Sequence, residues 1–391
     1  MTTHHNPLLD LTDLPRYADI TPDHVAEAVN TALTQARAAL KHAESMSAVD
    51  VHWDSFITPL EAATEQLSRI WGVVSHCHHV VDTAEWREAY NAHLEEVTVF
   101  WTTLGQSEML LSHYQTLAKE PHFSQLSTTR QHIIHQALRD FKLSGALLND
   151  ADKAEFLSLS TEASALQAKF SENVLDATNA FAYFATLDEL TGIPDEAIAA
   201  MRAAAQADDK DGYKITLHFP SYFPVMQYAE NRALRERVYQ AYVTRASDAN
   251  PAQPEFDNTR NMQSILKAHQ RLAALLGYDN YAQVSLATKM AESVPQVTDF
   301  LKHLAAKART SALTDYSELQ NFAREQLGIE DMQAWDATHT SEKLRQARYD
   351  FSEQEVKDHF PLSKSLDGLF HVIHELFGVQ LVRVAAQVWH P

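Results

Sequence analysis

Residues 151–178 carry the most regular pattern in the chain. Phe156, Leu159, Ala163, Leu166, Phe170 and Val174 recur at intervals of three or four. Apolar side chains at that spacing share one stripe of an α-helix. A near-heptad stripe packs antiparallel against a neighbouring helix. Other stretches follow the same rule. At Thr21-Pro22-Asp23 a helix begins, with Thr21 suited to capping, Pro22 to the first turn and Asp23 to the positive end of the dipole. Val25, Val29, Leu33 and Leu40 then mark its buried face. Amphipathic runs follow at 52–82, 84–118 and 126–144, the last stopped by Ser144-Gly145. Only 9 Gly interrupt 391 residues, so long helices meet few breakers.

One short β element stands among the helices. In 213–219 the apolar side chains alternate and Pro220 ends the run, with 181–184 as its partner. The segment Ile193–Ala205 between them reads as a helix. From about 225 to 350 the helical pattern returns. The tail 366–391 reads as one more helix, then a strand at Val379–Val384. No fixed-period repeat is present. The most polar linker, Asp208–Gly212, is the candidate domain boundary. The fold class is mostly α, with a small β element near 180–220.

The net charge of −20 excludes the usual electrostatics of nucleic acid and of anionic membrane surfaces, both of which are met by basic faces. A single cysteine, Cys77, cannot close an internal disulfide. The start lacks a basic region followed by an apolar core, and no stretch of about 18 apolar residues suggests a membrane span. The expected location is the cytoplasm.

Three histidine groupings could carry chemistry. Ser75-His76-Cys77-His78-His79 places potential ligands in a row, but adjacent helical residues point about 100° apart, so only His76 and His79 could share a face. The plainer reading is a set of partly exposed helix histidines. His132 and His135 are also three apart, without an acidic or Cys partner nearby. His371, His374 and Glu375 fall on one stripe and give the best metal geometry in the chain. They sit in His-Val-Ile-His-Glu-Leu-Phe-Gly, 371–378, one residue short of the zinc-protease pattern His-Glu-x-x-His. The second ligand should fall at 378, which is Gly. No nucleophile elbow and no Gly-rich nucleotide loop occurs in the sequence.

Residues 275–291, LLGYDNYAQVSLATKMA, read as a Gly-terminated helix, a turn, and a helix carrying Lys289 and Met290. The same words resemble the thimet oligopeptidase family of zinc metallopeptidases, and its bacterial oligopeptidase A branch most of all. Agreeing segments include QALRDFKLSG at 136–145, SENVLDAT at 171–178, the stretch 219–248, WDATHTSEK at 335–343, 352–370, and VWHP at 388–391. NPLL at 6–9 also fits. The resemblance runs through the whole chain in register.

That resemblance implies a helical, two-lobed body with a channel for short peptides. It implies an N-terminal helical domain over 1–205 and the opening of a catalytic domain over 213–391. It implies zinc, held by a His-Glu-x-x-His helix that lies beyond the Trp-His-Pro segment. The full-length activity expected is hydrolysis of short peptides in the cytoplasm, including cleaved signal peptides. No residue of this chain corresponds to a zinc ligand or to the general base, so no catalytic, cofactor-binding or metal residue is assigned here. Thr338-His339-Thr340 departs from the family's aromatic residues and weakens a channel-lining role for that stretch. The chain alone is expected to be inactive and to bind no zinc, and to self-associate through apolar surface near 366–391. A non-catalytic peptide-binding module is the alternative, and a weak metal site at His371, His374 and Glu375 is a further one.

Overall fold

A computed structural model describes residues 6–119, 123–349, 353–385 and 388. Helices occupy 74% of the described residues, which also hold one two-stranded sheet. The first half contains α1 (Asp23–Ser45), α2 (Thr58–Val80), α3 (Ala84–Gly105), α4 (Glu108–Lys119), α5 (Thr128–Leu143) and α6 (Asp150–Asn179). Then come β1 (Tyr183–Ala185), α7 (Asp195–Ala207), β2 (Tyr213–Ile215), α8 (Phe219–Tyr228) and α9 (Arg232–Val243). The remainder comprises α10 (Thr259–Leu275), α11 (Tyr281–Leu286), α12 (Val294–Leu327), α13 (Ala334–Tyr349), α14 (Glu353–Lys357) and α15 (Leu362–Phe377).

The chain forms two compact units. One comprises 1–168, 263–294 and 384–391, and the other 169–262 and 295–383. In the first unit α1 packs along α2 and α3, and α4 along α5. The α1 face predicted from periodicity is buried, with Val25, Val29 and Leu33 at most 1% exposed. Ala28, Ala32 and Ala36 lie beside them, four residues apart and equally buried. Small side chains in that row let the α2 backbone approach, while the branched side chains fill the flanking grooves. Leu67, Ile70 and Val74 of α2, Phe100 of α3 and Ile134 of α5 complete the core.

Local chemistry differs from the expected start of α1. Thr21 does not cap the helix; its amide donates to His24 Nδ1 at 3.0 Å, and Pro22 occupies the cap position. The expected run 84–118 is two helices. Between them Ser107 caps the start of α4: its hydroxyl accepts from the Leu110 amide at 3.2 Å and donates to Glu44 at 2.6 Å. The predicted seam of α6 is only half covered, Ala163 alone of those six being buried.

In the second unit β1 and β2 pair antiparallel, Tyr183 opposite Ile215 and Ala185 opposite Tyr213. A two-stranded ribbon is marginal by itself. It is held by α7 against β2 and by a core of Leu190, Ile193, Met201, Ile215, Leu217, Val225 and Val238. Asp208–Gly212 is the turn that leads from α7 into β2. The turn before α7 depends on Gly192, whose φ is +91°. A Cβ there would stand 2.5 Å from the Tyr228 carbonyl oxygen. Val379–Val384 does not pair as a strand among the described residues. No helix of the described chain is long and apolar enough to cross a membrane.

Candidate functional site

Sequence words that lie far apart are drawn together where α8, α9 and α13 meet. Asp336, in the first turn of α13, is fully buried. Its carboxylate accepts from Arg232 Nε at 3.0 Å and Nη2 at 2.8 Å, from Arg235 Nη2 at 2.9 Å and from the Gln333 amide at 3.0 Å. Arg235 is itself only 1% exposed. Its remaining donors reach the Ala229 carbonyl at 2.6 Å, and the Glu230 and Trp335 carbonyls at 3.3 Å. The carbonyls where α8 ends are thus met by a cation, which suits the negative end of a helix dipole. His339 donates from Nδ1 to the Gln227 carbonyl at 3.2 Å in the same place. Lys343 binds Glu230 at 2.5 Å, and Gln227 donates to the buried Glu342 at 3.0 Å.

The electrostatics fix the protonation states. Burial alone would raise the Asp336 carboxyl, but Arg232, the Gln333 amide and Arg235 together outweigh it and hold it below the usual carboxylate range. For Glu230, burial again opposes, and Lys343 wins. Burial, reinforced by the Arg235 charge, pushes His339 down and keeps its ring neutral at physiological pH. Acid–base catalysis needs a group poised near the working pH. These carboxylates stay ionised and satisfied, so the lattice holds helices together.

The sequence-predicted ligands are not gathered. His76 leans on Tyr17 with ring centroids 5.3 Å apart, whereas His79 is exposed and donates to the Ser75 carbonyl at 2.6 Å. His78 is buried, not partly exposed. It stacks on Tyr90 at 4.1 Å, and Tyr90 stacks on Trp71 at 4.8 Å. The seven-residue interval from Trp71 to His78 was the available signal. Burial also raises the Cys77 thiol to about 11, which removes it as a nucleophile. His132 and His135 are both exposed; His132 meets Gln136 and His135 meets Phe123. Lys289 and Met290 lie beyond the end of α11, not on it. Thr338–Thr340 belongs to α13, with His339 and Thr340 buried.

On α15, His371, His374 and Glu375 are all exposed. Gly378 supplies the left-handed residue that ends the helix, with φ +65° and its amide on the His374 carbonyl at 2.8 Å. The position where a second zinc ligand would fall is therefore a helix stop. Among the described residues no three His, Cys, Asp or Glu side chains are placed to hold a metal ion. Trp389, His390 and Pro391 lie outside the described residues. A separate feature is an open groove of about 620 Å³ along α9, lined by Phe181, Glu236, Arg237, Gln240, Thr244 and Asn250.

A mostly helical, two-unit body whose second unit holds the buried Arg235–Asp336 ion pair is thus defined. The sequence model described as peptidase family M3 matches residues 225–391, and that of the neurolysin/thimet oligopeptidase N-terminal domain matches 29–153. The chain is thus similar, over most of its length, to a family of zinc metallopeptidases. It is 40% identical to oligopeptidase A of Salmonella typhimurium and 39% identical to that of Escherichia coli, over 99% of its own length in each case. A probable cytosolic oligopeptidase A of Arabidopsis thaliana is 37% identical over the whole chain. The chain spans 56–57% of the length of these relatives. In fold it is similar to PZ peptidase A solved with an inhibitor, at a TM-score of 0.50 and 13% identity, over 85% of this chain and 48% of that one. Zinc is the metal of the family, and the donors gathered here do not fit it.

Proposed function

We propose that this chain is the N-terminal part of an oligopeptidase A-like zinc metalloendopeptidase acting on short peptides in the cytoplasm. Residues 1–205 form the helical N-terminal domain in this reading, and 213–391 open the catalytic domain. The observation that carries it is the 40% identity over 99% of this chain to an oligopeptidase A of which the matched stretch is 57%. The zinc helix and its general base belong to the portion of the relatives that this chain does not span, since the sequence contains no His-Glu-x-x-His. Cleaved signal peptides fit the substrate class by resemblance.

The 391-residue chain, incubated with a quenched fluorescent peptide and zinc, is expected to give no turnover above buffer. Turnover that copurifies with the chain and stops on chelation would overturn the reading. The groove along α9 favours a second reading, a peptide-binding module without catalysis. An open groove covers only one side of a peptide, so affinity should be weak. Calorimetry with short peptides separates the two.

A further inference from the structure

Helices α5 and α10 end in the same way, and both ends line one pocket of the first unit. Gly145 follows α5 with φ +85°, and Gly277 follows α10 with φ +80°. The Gly145 amide donates to the Lys142 carbonyl at 3.1 Å, and the Ala146 amide to the Phe141 carbonyl at 3.0 Å. At the other helix the Gly277 amide donates to the Ala274 carbonyl at 3.1 Å, and the Tyr278 amide to the Ala273 carbonyl at 2.9 Å. This pattern closes a helix but leaves the carbonyls of its last two residues without a helical donor. Leu143, Leu275 and Leu276 are among those residues, and all three line the pocket.

The pocket measures about 270 Å³. Leu147 and Leu148 join the other leucines in its wall, and Lys142 and Tyr278 complete the lining. Neither the Lys142 ammonium nor the Tyr278 hydroxyl has a partner among the described residues. Apolar walls with a few polar groups that fix orientation are the composition of a small-ligand site. The volume falls just below the range of about 300–1,000 Å³ that takes drug-sized ligands, so the occupant is smaller than those.

We infer that this pocket binds a free amino acid with an aliphatic side chain, of the size of L-leucine. The charges select that class. Two helix C-termini present the negative ends of their dipoles, while Lys142 presents a cation. An aliphatic acid would suit Lys142 but meet the dipoles with the wrong sign. An aliphatic amine would suit the dipoles but meet Lys142 with the wrong sign. A zwitterion satisfies both, with its ammonium towards the open carbonyls and its carboxylate towards Lys142 and Tyr278. The leucines then cover its side chain. Binding here is independent of the peptidase reading; only the role does rest on it, since free amino acids are the end product of peptide breakdown.

Ligand-observed NMR, titrating L-leucine into the 391-residue chain, tests this without any turnover. Saturable binding is expected, with a Kd on the order of 1 mM or tighter for so small a ligand. Free glycine, which lacks the side chain, and 4-methylpentanoate, which lacks the ammonium, should each bind at least roughly tenfold more weakly. Lys142→Met should weaken leucine roughly tenfold and leave leucinamide, which lacks the carboxylate, unweakened. Leu147→Trp, at a position 65% exposed, should fill the pocket and abolish binding. Lys142 is exposed as well, so both variants should keep the circular dichroism of the parent. If Leu147→Trp disturbs the fold, the decision rests on Lys142→Met and on the ligand series. No saturation by about 10 mM leucine overturns the proposal. Equal affinity for 4-methylpentanoate also overturns it, and makes the site one for aliphatic acids. Leucine affinity that Lys142→Met leaves unchanged, or that a folded Leu147→Trp leaves unchanged, overturns it by placing the ligand elsewhere.

Discussion

Removing the Asp336 carboxylate should loosen the second unit more than any exposed ion pair could. In Asp336→Ala the hydrogen bonds from Arg232, Arg235 and the Gln333 amide disappear at once. They do not count equally. Arg232 is 46% exposed and regains water, so its loss is small. Arg235 is 1% exposed and cannot rehydrate, and breaking a buried pair costs about 3–5 kcal/mol. Its three carbonyl contacts and the field of Glu230 soften the loss. The expected destabilisation is therefore about 3 kcal/mol, the lower end of that range. Hydrogen exchange read by mass spectrometry on peptides from α8, α9 and α13 measures it. At about 1.4 kcal/mol per tenfold, exchange should speed up on the order of a hundredfold there, and not in α1 or α2. Glu155→Ala, which breaks the exposed pair with Arg271, is the control and should leave those peptides unchanged. The carboxyl is held below its unfolded value of about 3.9, so its contribution is fully present above about pH 4. It is lost as pH falls through the lower folded value, and there the gap between the variant and the parent should close. An acceleration of less than about threefold at pH 7, under about 0.7 kcal/mol by the same conversion, would refute the reasoning.

Gly192→Ala should destabilise the second unit by about 2 kcal/mol or more, because the left-handed backbone and the Tyr228 carbonyl both oppose a Cβ; urea unfolding followed by circular dichroism reads it. Cys77 should react with iodoacetamide at pH 8 roughly a few hundredfold more slowly than a free thiol, given a pKa near 11, and at the free rate once unfolded in urea. Leu33→Ala, at a site 1% exposed, should cost about 3 kcal/mol by leaving a cavity between α1 and its neighbours, measured by the same urea melts.

Helices were legible because burial and periodicity coincide. Val25, Val29 and Leu33 announce their face without knowledge of what covers it. That the segments near 181–184 and 213–219 pair was legible through alternation, but the strands cover only Tyr183–Ala185 and Tyr213–Ile215, and Phe219-Pro220, read as the end of the strand, opens α8. What escaped was anything decided by a distant partner. Ser107, which caps α4, also binds Glu44, 63 residues earlier. Arg235 and Asp336 stand 101 residues apart, and nothing local marks either as buried. Hydropathy even argues against it, since Arg and Asp are seldom found inside. The histidine runs misled in the opposite way, for neighbours in sequence point in different directions on a helix. His78 entered a stack of rings while His79 faced solvent.

The Arg235–Asp336 pair also constrains how such a chain can drift. Replacing either residue alone strands an ion in a dry interior, so each single step is selected against even though the apolar double replacement can be as stable. A path between the two states passes through a deep valley. Solvent-facing polar side chains of α12 such as Lys302, Arg309 and Asp315 meet no such obstacle and can change one at a time. The buried pair therefore acts as a slow clock beside a fast one, in the same unit of the same molecule.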